Sequence, residues 1–152
     1  MKLSVLLTPE RVILDVREKD KNALLGTLIQ RLASLAGVSD PAGLENEVKQ
    51  REELGNTGIG RGIGFPHAKS ALVSDIQVVL ARPAKPVDYG SLDGQPVTIV
   101  LLIVAPADGD NNVYLHTMAR ISRLLGKSDV RQQILAAKSA EDVCRIVEAN
   151  EA

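Results

Sequence analysis

Aromatic residues are scarce in this 152-residue chain, which has two tyrosines, one phenylalanine and no tryptophan. Aliphatic side chains and alanine must therefore build the core, a composition that suits helices packed on a buried sheet. With so few rings to stack on bases and a net charge of −1, the chain is not expected to bind nucleic acid directly. A single cysteine, Cys144, excludes an internal disulfide.

Long hydrophobic runs are also missing. The longest, Ile99 to Ala105 with its neighbours, is far shorter than the roughly 18 residues that a membrane-spanning helix needs. The N-terminal segment MKLSVLLTPERV has no sustained apolar region followed by a cleavage site. We therefore expect no signal peptide, no membrane insertion and a cytoplasmic protein. The length fits one domain covering residues 1–152.

Hydrophobic periodicity predicts strands that alternate with helices. Strands are expected at three places: 12–16, 76–81 and 97–104. The third is apolar on both faces, as a central strand covered by helices would be. Helices are expected at five places: 24–36, 41–54, 111–125, 129–137 and 140–149. The pattern predicts an α/β layer fold with a mixed sheet.

Capping and turn residues mark where these helices and strands are expected to begin and end. Four residues precede helical patterns as expected caps: Asp20, Asp40, Ser128 and Ser139. Asp93-Gly94 is a hairpin-turn signal ahead of the third strand. The helix at 41–54 carries mostly polar side chains, Glu52 among them, so we expect much of it to face water.

The stretch from Arg51 to Lys69, REELGNTGIGRGIGFPHAK, holds the main candidate site. Four glycines alternate along it: Gly58, Gly60, Gly62 and Gly64. Such a run lets the backbone turn sharply and approach a bound group closely. Pro66 favours an extended Phe65, so His67 follows on a stiff backbone. By itself this pattern fits either a surface turn or a reactive imidazole.

Two nucleotide-binding motifs fail on this stretch. Gly55 to Gly60 has the spacing of a Walker A motif, but Arg61-Gly62 replaces the required lysine and hydroxyl residue. A dinucleotide fingerprint fails because the glycines alternate and no helix opens after them. Two histidines far apart and one cysteine do not predict a metal site. We therefore expect neither a cofactor nor a metal.

His67 is the candidate nucleophile. A neutral imidazole nitrogen can attack phosphorus and form a labile phosphohistidine. Phosphoryl transfer needs in-line positioning and donors around the phosphoryl oxygens, and the glycine-run N–H groups and the Thr57 hydroxyl are candidates. The alternative class is a hydrolase or ligand-binding domain that uses His67 as a base. That interpretation lacks a serine, cysteine or metal partner for the histidine.

Three segments of this stretch form a specific pattern: Arg51-Glu52-Glu53, Asn56 to Gly60, and Gly62 to His67. The pattern resembles the signature of fructose/mannitol-type enzyme IIA proteins of the bacterial phosphoenolpyruvate-dependent phosphotransferase system. Three later segments are similar to the nitrogen-regulatory branch of that family: Leu92 to Val97, Ala105 to Asp108, and Leu115-His116-Thr117. The resemblance covers nearly the whole chain. It implies a mixed sheet of about five strands with helices on both faces.

The resemblance also implies roles for three residues. His67 matches the phosphorylated histidine, and Arg51 matches an active-site arginine that stabilises the phosphoryl group. His116 matches a second active-site histidine that supports the phosphoryl group or His67.

The residues alone leave two of these roles open. Arg51 can equally be a helix-surface residue paired with Glu47 or Glu53. Helical spacing puts His116 on a polar face with Arg120, which either is solvated or borders the phosphoryl site.

Partners follow from the same resemblance. The implied donor is a small HPr-like phosphocarrier protein. The implied downstream partner is a IIB domain or a regulated protein, such as a potassium transporter or sensor kinase. Lys69 stands where mannitol-transport members carry an acidic residue, which favours a regulatory phosphocarrier. The alternative is a sugar-transport IIA that passes the phosphoryl group to a IIB domain of a fructose/mannitol-type transporter.

Overall fold

The computed structural model describes residues 1–151, and the strands and helices of that part form one layered unit. Six strands are present there: β1 (Val12–Val16), β2 (Gly58–Gly60), β3 (Ile63–Gly64), β4 (His67–Ser70), β5 (Gln77–Pro83) and β6 (Ile99–Pro106). The helices are α1 (Leu3–Leu6), α2 (Lys21–Ala36), α3 (Pro41–Leu54), α4 (Asn111–Gly126), α5 (Ser128–Ala136) and α6 (Ala140–Asn150). A short 3-10 turn spans Pro9–Arg11.

The sheet is mixed, with strand order β1-β5-β6-β3-β2 and with β4 also paired to β6. β6 runs antiparallel to β5 and parallel to both β3 and β4. Every residue of β6 except Pro106 is buried. This confirms the prediction, made from its two apolar faces, of a central covered strand.

Helices cover both faces of this sheet, as predicted. Alternate β6 residues face two separate cores, because side chains along a strand point to opposite sides. Leu101 and Ile103 pack with α1, α4, α5 and α6, whereas Val100 and Leu102 pack with α2 and α3. The α/β layer fold is therefore confirmed, with six strands where the resemblance implied about five. No helix within residues 1–151 has the length and hydrophobicity needed to cross a membrane.

Three of the four predicted caps are confirmed. The side chains of Asp20, Asp40 and Ser139 each accept a hydrogen bond from a backbone N–H in the first turn of α2, α3 and α6. The prediction for Ser128 is wrong. α5 begins at Ser128 itself, so Lys127 occupies the cap position and forms no side-chain cap bond.

The hairpin predicted at Asp93-Gly94 is a turn without a regular strand pair. A long loop, residues 84–98, joins the antiparallel strands β5 and β6, and its two sides meet in a single bridge between Val87 and Val97. The Asp93 carboxylate instead accepts hydrogen bonds from the backbone N–H groups of Arg61 and Gln95. These bonds lower the pKa of Asp93 and tie the loop to the β2–β3 turn.

Candidate functional site

The glycine-rich stretch folds into the small antiparallel pair β2–β3. Arg61 and Gly62, in the turn between the strands, have φ values of 59° and 81°, the left-handed conformation that type I′ turns need at both central positions. Gly58 lies so close to the 84–98 loop that an added Cβ would be 2.1 Å from Ser91 Oγ. The glycine run was expected to bring the backbone close to a bound group. At Gly58 the backbone instead lies close to the 84–98 loop of the protein itself.

His67 is the first residue of β4 and lies opposite Ile103 of β6. The Phe65-Pro66 pair separates β3 from β4, and both residues are held by backbone bonds. Phe65 N–H donates to Thr57 O at 3.0 Å, and Ile103 N–H donates to Pro66 O at 3.0 Å. The half-buried imidazole thus projects from an extended, anchored segment.

Both ring nitrogens of His67 have protein partners. Nδ1 lies 2.9 Å from the Phe65 carbonyl oxygen, and Nε2 lies 3.0 Å from Nη2 of Arg51. A carbonyl only accepts hydrogen bonds and a guanidinium only donates them, so Nδ1 carries the proton and Nε2 keeps its lone pair. This geometry turns the lone pair of Nε2 towards the Arg51 guanidinium.

Arg51 reaches His67 from the last turn of α3. The surface pairing with Glu47 or Glu53 that the residues alone allowed is not the arrangement found, because the guanidinium bonds the histidine ring instead. The structure thus brings together two of the three predicted site residues.

Thr57 does not take the role expected of it. It is buried, and its hydroxyl shares a hydrogen bond of 3.1 Å with the Tyr89 hydroxyl. The hydroxyl is therefore turned into the protein, and the expectation that it would contact a phosphoryl group is wrong.

His116 lies on the exposed side of α4. It lines a shallow cavity together with Met1, Val113, Arg120 and Arg123. The hydrogen bonds of the His67 ring go to Arg51 and Phe65 rather than to this histidine. Its supporting role therefore stays a prediction.

Tyr114 is the residue near the site that the sequence interpretation missed. Its side chain packs into the core under α4, and the Lys69 Nζ atom lies 5.2 Å from its ring centroid. Burial raises the pKa of Tyr114, and the positive charge of Arg51 acts in the opposite direction. Sequence interpretation assigned Tyr114 to the core because it lies on the apolar side of a predicted helix. Its place in the first turn of α4, the helix that follows β6, is the one sequence signal that could have located it near the site.

Lys69 follows His67 by two residues, so the two side chains leave the same face of β4. Its ammonium donates a hydrogen bond of 2.6 Å to Asn111 Oδ1 at the start of α4. Arg51 is thus a cation in direct contact with the imidazole, and Lys69 is a second cation on the same strand face. The local electrostatics therefore favour an anionic group at Nε2.

Other reactive side chains lie elsewhere. Cys144 is half-buried in α6, where its thiol donates to Leu7 O and burial raises its pKa. Within residues 1–151, no group of three or more histidine, cysteine, aspartate or glutamate side chains is arranged to hold a metal ion.

The comparisons with known proteins agree with this fold. Residues 5–150 match the family described as "Phosphoenolpyruvate-dependent sugar phosphotransferase system, EIIA 2". The chain belongs to this family and is thus a phosphotransfer component of that system, as the sequence pattern predicted.

Individual relatives come from two branches. The chain is 35% identical over 147 residues to the fructose-specific EIIABC component of Bacillus subtilis, covering 97% of this chain and 23% of that protein. It is 33% identical to the nitrogen regulatory protein of Bradyrhizobium diazoefficiens, covering 97% of this chain and 95% of that protein. The fold matches the crystal structure of nitrogen regulatory protein IIA-Ntr from Neisseria meningitidis with a TM-score of 0.89 and 24% identity, covering 95% and 98% of the two chains.

Proposed function

We propose that this protein is a regulatory phosphocarrier that accepts a phosphoryl group on Nε2 of His67. The observation that carries the proposal is the pair of contacts on the ring. The Phe65 carbonyl holds the proton on Nδ1 and Arg51 faces the lone pair on Nε2. The reactive nitrogen and a cation for the phosphoryl oxygens are thus already in place.

The step is a direct exchange between two nitrogens. The Nε2 lone pair attacks phosphorus, a new N–P bond forms, and the donor's N–P bond breaks with its electron pair returning to the donor imidazole. The Nδ1 proton stays on His67, bonded to Phe65 O, so no proton has to leave the ring. No cofactor is required, because positioning and charge stabilisation supply the catalysis.

Arg51 changes partner in this step. Its guanidinium donates to Nε2 before transfer and, once that nitrogen is occupied, donates to the phosphoryl oxygens in its place. In this proposal Lys69, which leaves the same strand face as His67, adds a second positive charge. Together the two cations offset the charge that develops on the phosphoryl oxygens.

The proposed donor is an HPr-like phosphocarrier protein, and the proposed readout is a regulated protein whose binding depends on the added charge. The similarity to a nitrogen regulatory protein over 95% of that protein's length supports this interpretation. Lys69 beside His67 supports it too. We treat residues 1–152 as one functional domain, and the cytoplasmic location stays a prediction.

A sugar-transport role is the second candidate, because the chain is also 35% identical to part of a fructose-specific EIIABC component. In that case the phosphoryl group would leave His67 for a IIB domain. Prompt transfer to a fructose-type IIB domain would favour transport, whereas a phosphoryl group that stays on His67 in its presence would favour regulation.

Intact-mass spectrometry tests the chemistry itself. The protein is incubated with phosphoenolpyruvate, enzyme I and either HPr or a nitrogen-branch carrier, and wild type is compared with His67→Ala. We expect one phosphoryl adduct on wild type, lost after brief acid and never formed on the variant. An adduct on the variant, or none on wild type with either carrier, would overturn the proposal.

A further inference from the structure

Glu52 is a buried carboxylate next to the candidate site. The helical pattern placed it on the water-facing side of α3, but its side chain is only 5% exposed. A buried carboxylate is costly unless it is paired and hydrogen-bonded. Because Glu52 directly follows Arg51, the groups that hold its carboxylate also influence where Arg51 lies.

Two groups from other elements hold this carboxylate. The ammonium of Lys21, the first residue of α2, lies 2.7 Å from Oε1, and the Thr57 N–H donates to the same oxygen at 2.9 Å. The second oxygen, Oε2, is buried without a hydrogen-bond partner in residues 1–151. The carboxylate therefore depends on Lys21 for its charge compensation.

Tyr89 completes the group. Lys21 Nζ lies 4.3 Å from the Tyr89 ring centroid, and the Tyr89 hydroxyl bonds the Thr57 hydroxyl. Burial raises the pKa of Tyr89, so its hydroxyl stays protonated. We call these four residues the Glu52 network: Lys21, Glu52, Thr57 and Tyr89.

The Glu52 network reaches His67 by two routes. Glu52 fixes the end of α3, from which the neighbouring Arg51 extends to Nε2. On the other side, Thr57 accepts the Phe65 N–H through its carbonyl, and the Phe65 carbonyl accepts the proton on Nδ1. Both groups that contact the imidazole are therefore tied to one buried carboxylate.

We propose that Glu52, held by Lys21, is a positioning residue that aligns Arg51 and the Phe65 carbonyl on the two nitrogens of His67. This inference rests on the proposed phosphocarrier function. Glu52 does not touch the reacting atoms. Its charge matters because the ion pair between the buried Glu52 and the partly exposed Lys21 holds the two helices and the 55–57 connection in one arrangement.

The test compares Glu52→Gln and Lys21→Met with Glu53→Gln, a matched change at the exposed neighbouring position. The His67 ring tautomer is read from imidazole ¹⁵N chemical shifts, and phosphoryl transfer from the carrier is measured as kcat and KM. Thermal unfolding reports on stability. The tautomer measurement needs no phosphoryl transfer, so it remains informative even if the proposed function fails.

We expect both network variants to lose part of the Nδ1–H tautomer. Their kcat should fall about 10- to 100-fold, as for small misplacements of a reacting group, with KM for the carrier changed less than about 2-fold. Glu53→Gln should match wild type. If Glu52→Gln does not fold, the tautomer and the kcat of Lys21→Met test the proposal.

Two outcomes would overturn the inference while leaving the phosphocarrier function intact. One is a folded network variant with wild-type tautomer and kcat. The other is a loss of kcat that follows the loss of stability while the tautomer stays as in wild type, which would make Glu52 a purely structural residue.

Discussion

At the scale of single residues, the site is defined by what each atom can donate or accept. The Phe65 carbonyl and the Arg51 guanidinium leave one tautomer of His67, with the proton on Nδ1 and the lone pair of Nε2 facing Arg51. The sequence pointed to the histidine and the arginine through a family pattern. It could not assign the nitrogen, because that depends on a contact within a turn whose geometry no periodicity encodes.

Glu52 shows a second limit of sequence interpretation at this scale. Its position on α3 follows the polar pattern of that helix, yet the side chain turns inward to meet Lys21 from another helix. A buried ion pair between distant residues leaves no local signature. Thr57 was misassigned for a similar reason, because its partner Tyr89 is 32 residues away.

Tyr114 and His116 give the first prediction. Because burial keeps the Tyr114 phenol neutral and the His67 ring bonds Arg51 and Phe65 instead, Tyr114→Phe should slow phosphoryl transfer to His67 less than His116→Ala does. His116→Ala should slow phosphoryl transfer while still leaving His67 labelled, because the exposed ring of His116, beside Arg120 and Arg123, is predicted to support the phosphoryl group. Single-turnover labelling measures both rates. Wild-type kinetics for His116→Ala would contradict its supporting role and leave this histidine on the solvated face of α4.

At the scale of elements, most boundaries followed from local chemistry. β1, α3 and α6 begin where they were predicted, and α2 begins at Lys21, directly after its predicted cap Asp20 and three residues before its first predicted apolar position. The turn predicted at Asp93-Gly94 lies in a long loop, residues 84–98, that joins the antiparallel strands β5 and β6 and whose two sides share one bridge, between Val87 and Val97. Its contacts are with the β2–β3 turn, a long-range interaction that the local pattern does not contain.

The contact between this loop and β2 gives the second prediction. Gly58→Ala should lower the free energy of unfolding by about 1–3 kcal/mol, because the new Cβ would meet Ser91 Oγ. Gly126→Ala is the matched control at the end of α4, where an added Cβ would meet no neighbouring element within 4 Å, and it should be neutral or stabilising by up to about 1 kcal/mol. Urea unfolding measures both. Equal midpoints for the two variants would contradict the packing described for Gly58.

At the scale of the whole molecule, the composition decided the architecture. Few aromatics and an apolar central strand required aliphatic cores on both sides of one sheet, and two such cores are present. The strand order could not be predicted in the same way. The register of β3 and β4 along β6 depends on the Phe65-Pro66 break, which the sequence marks but does not orient.

Tyr89 links stability to pH and gives the third prediction. Its pKa is raised in the folded protein, mainly by burial, so above the unfolded value of about 10 the folded state binds more protons than the unfolded state. The free energy of unfolding should therefore fall as the pH rises above about 10, by up to about 1.4 kcal/mol per pH unit from this group. Tyr89→Phe removes that contribution, and urea unfolding of both proteins between about pH 8 and 11 measures the difference. If the free energy of unfolding fell equally with pH in wild type and Tyr89→Phe, the raised pKa of Tyr89 in the folded protein would be contradicted.

The most direct measurement of the central claim is nuclear magnetic resonance of the phosphorylated protein with ¹⁵N-labelled histidine. The claim that Nε2 of His67 is the phosphoryl acceptor predicts a phosphorus–nitrogen coupling at Nε2 of His67, with the proton still on Nδ1. Coupling at Nδ1, or at a nitrogen of His116, would contradict it.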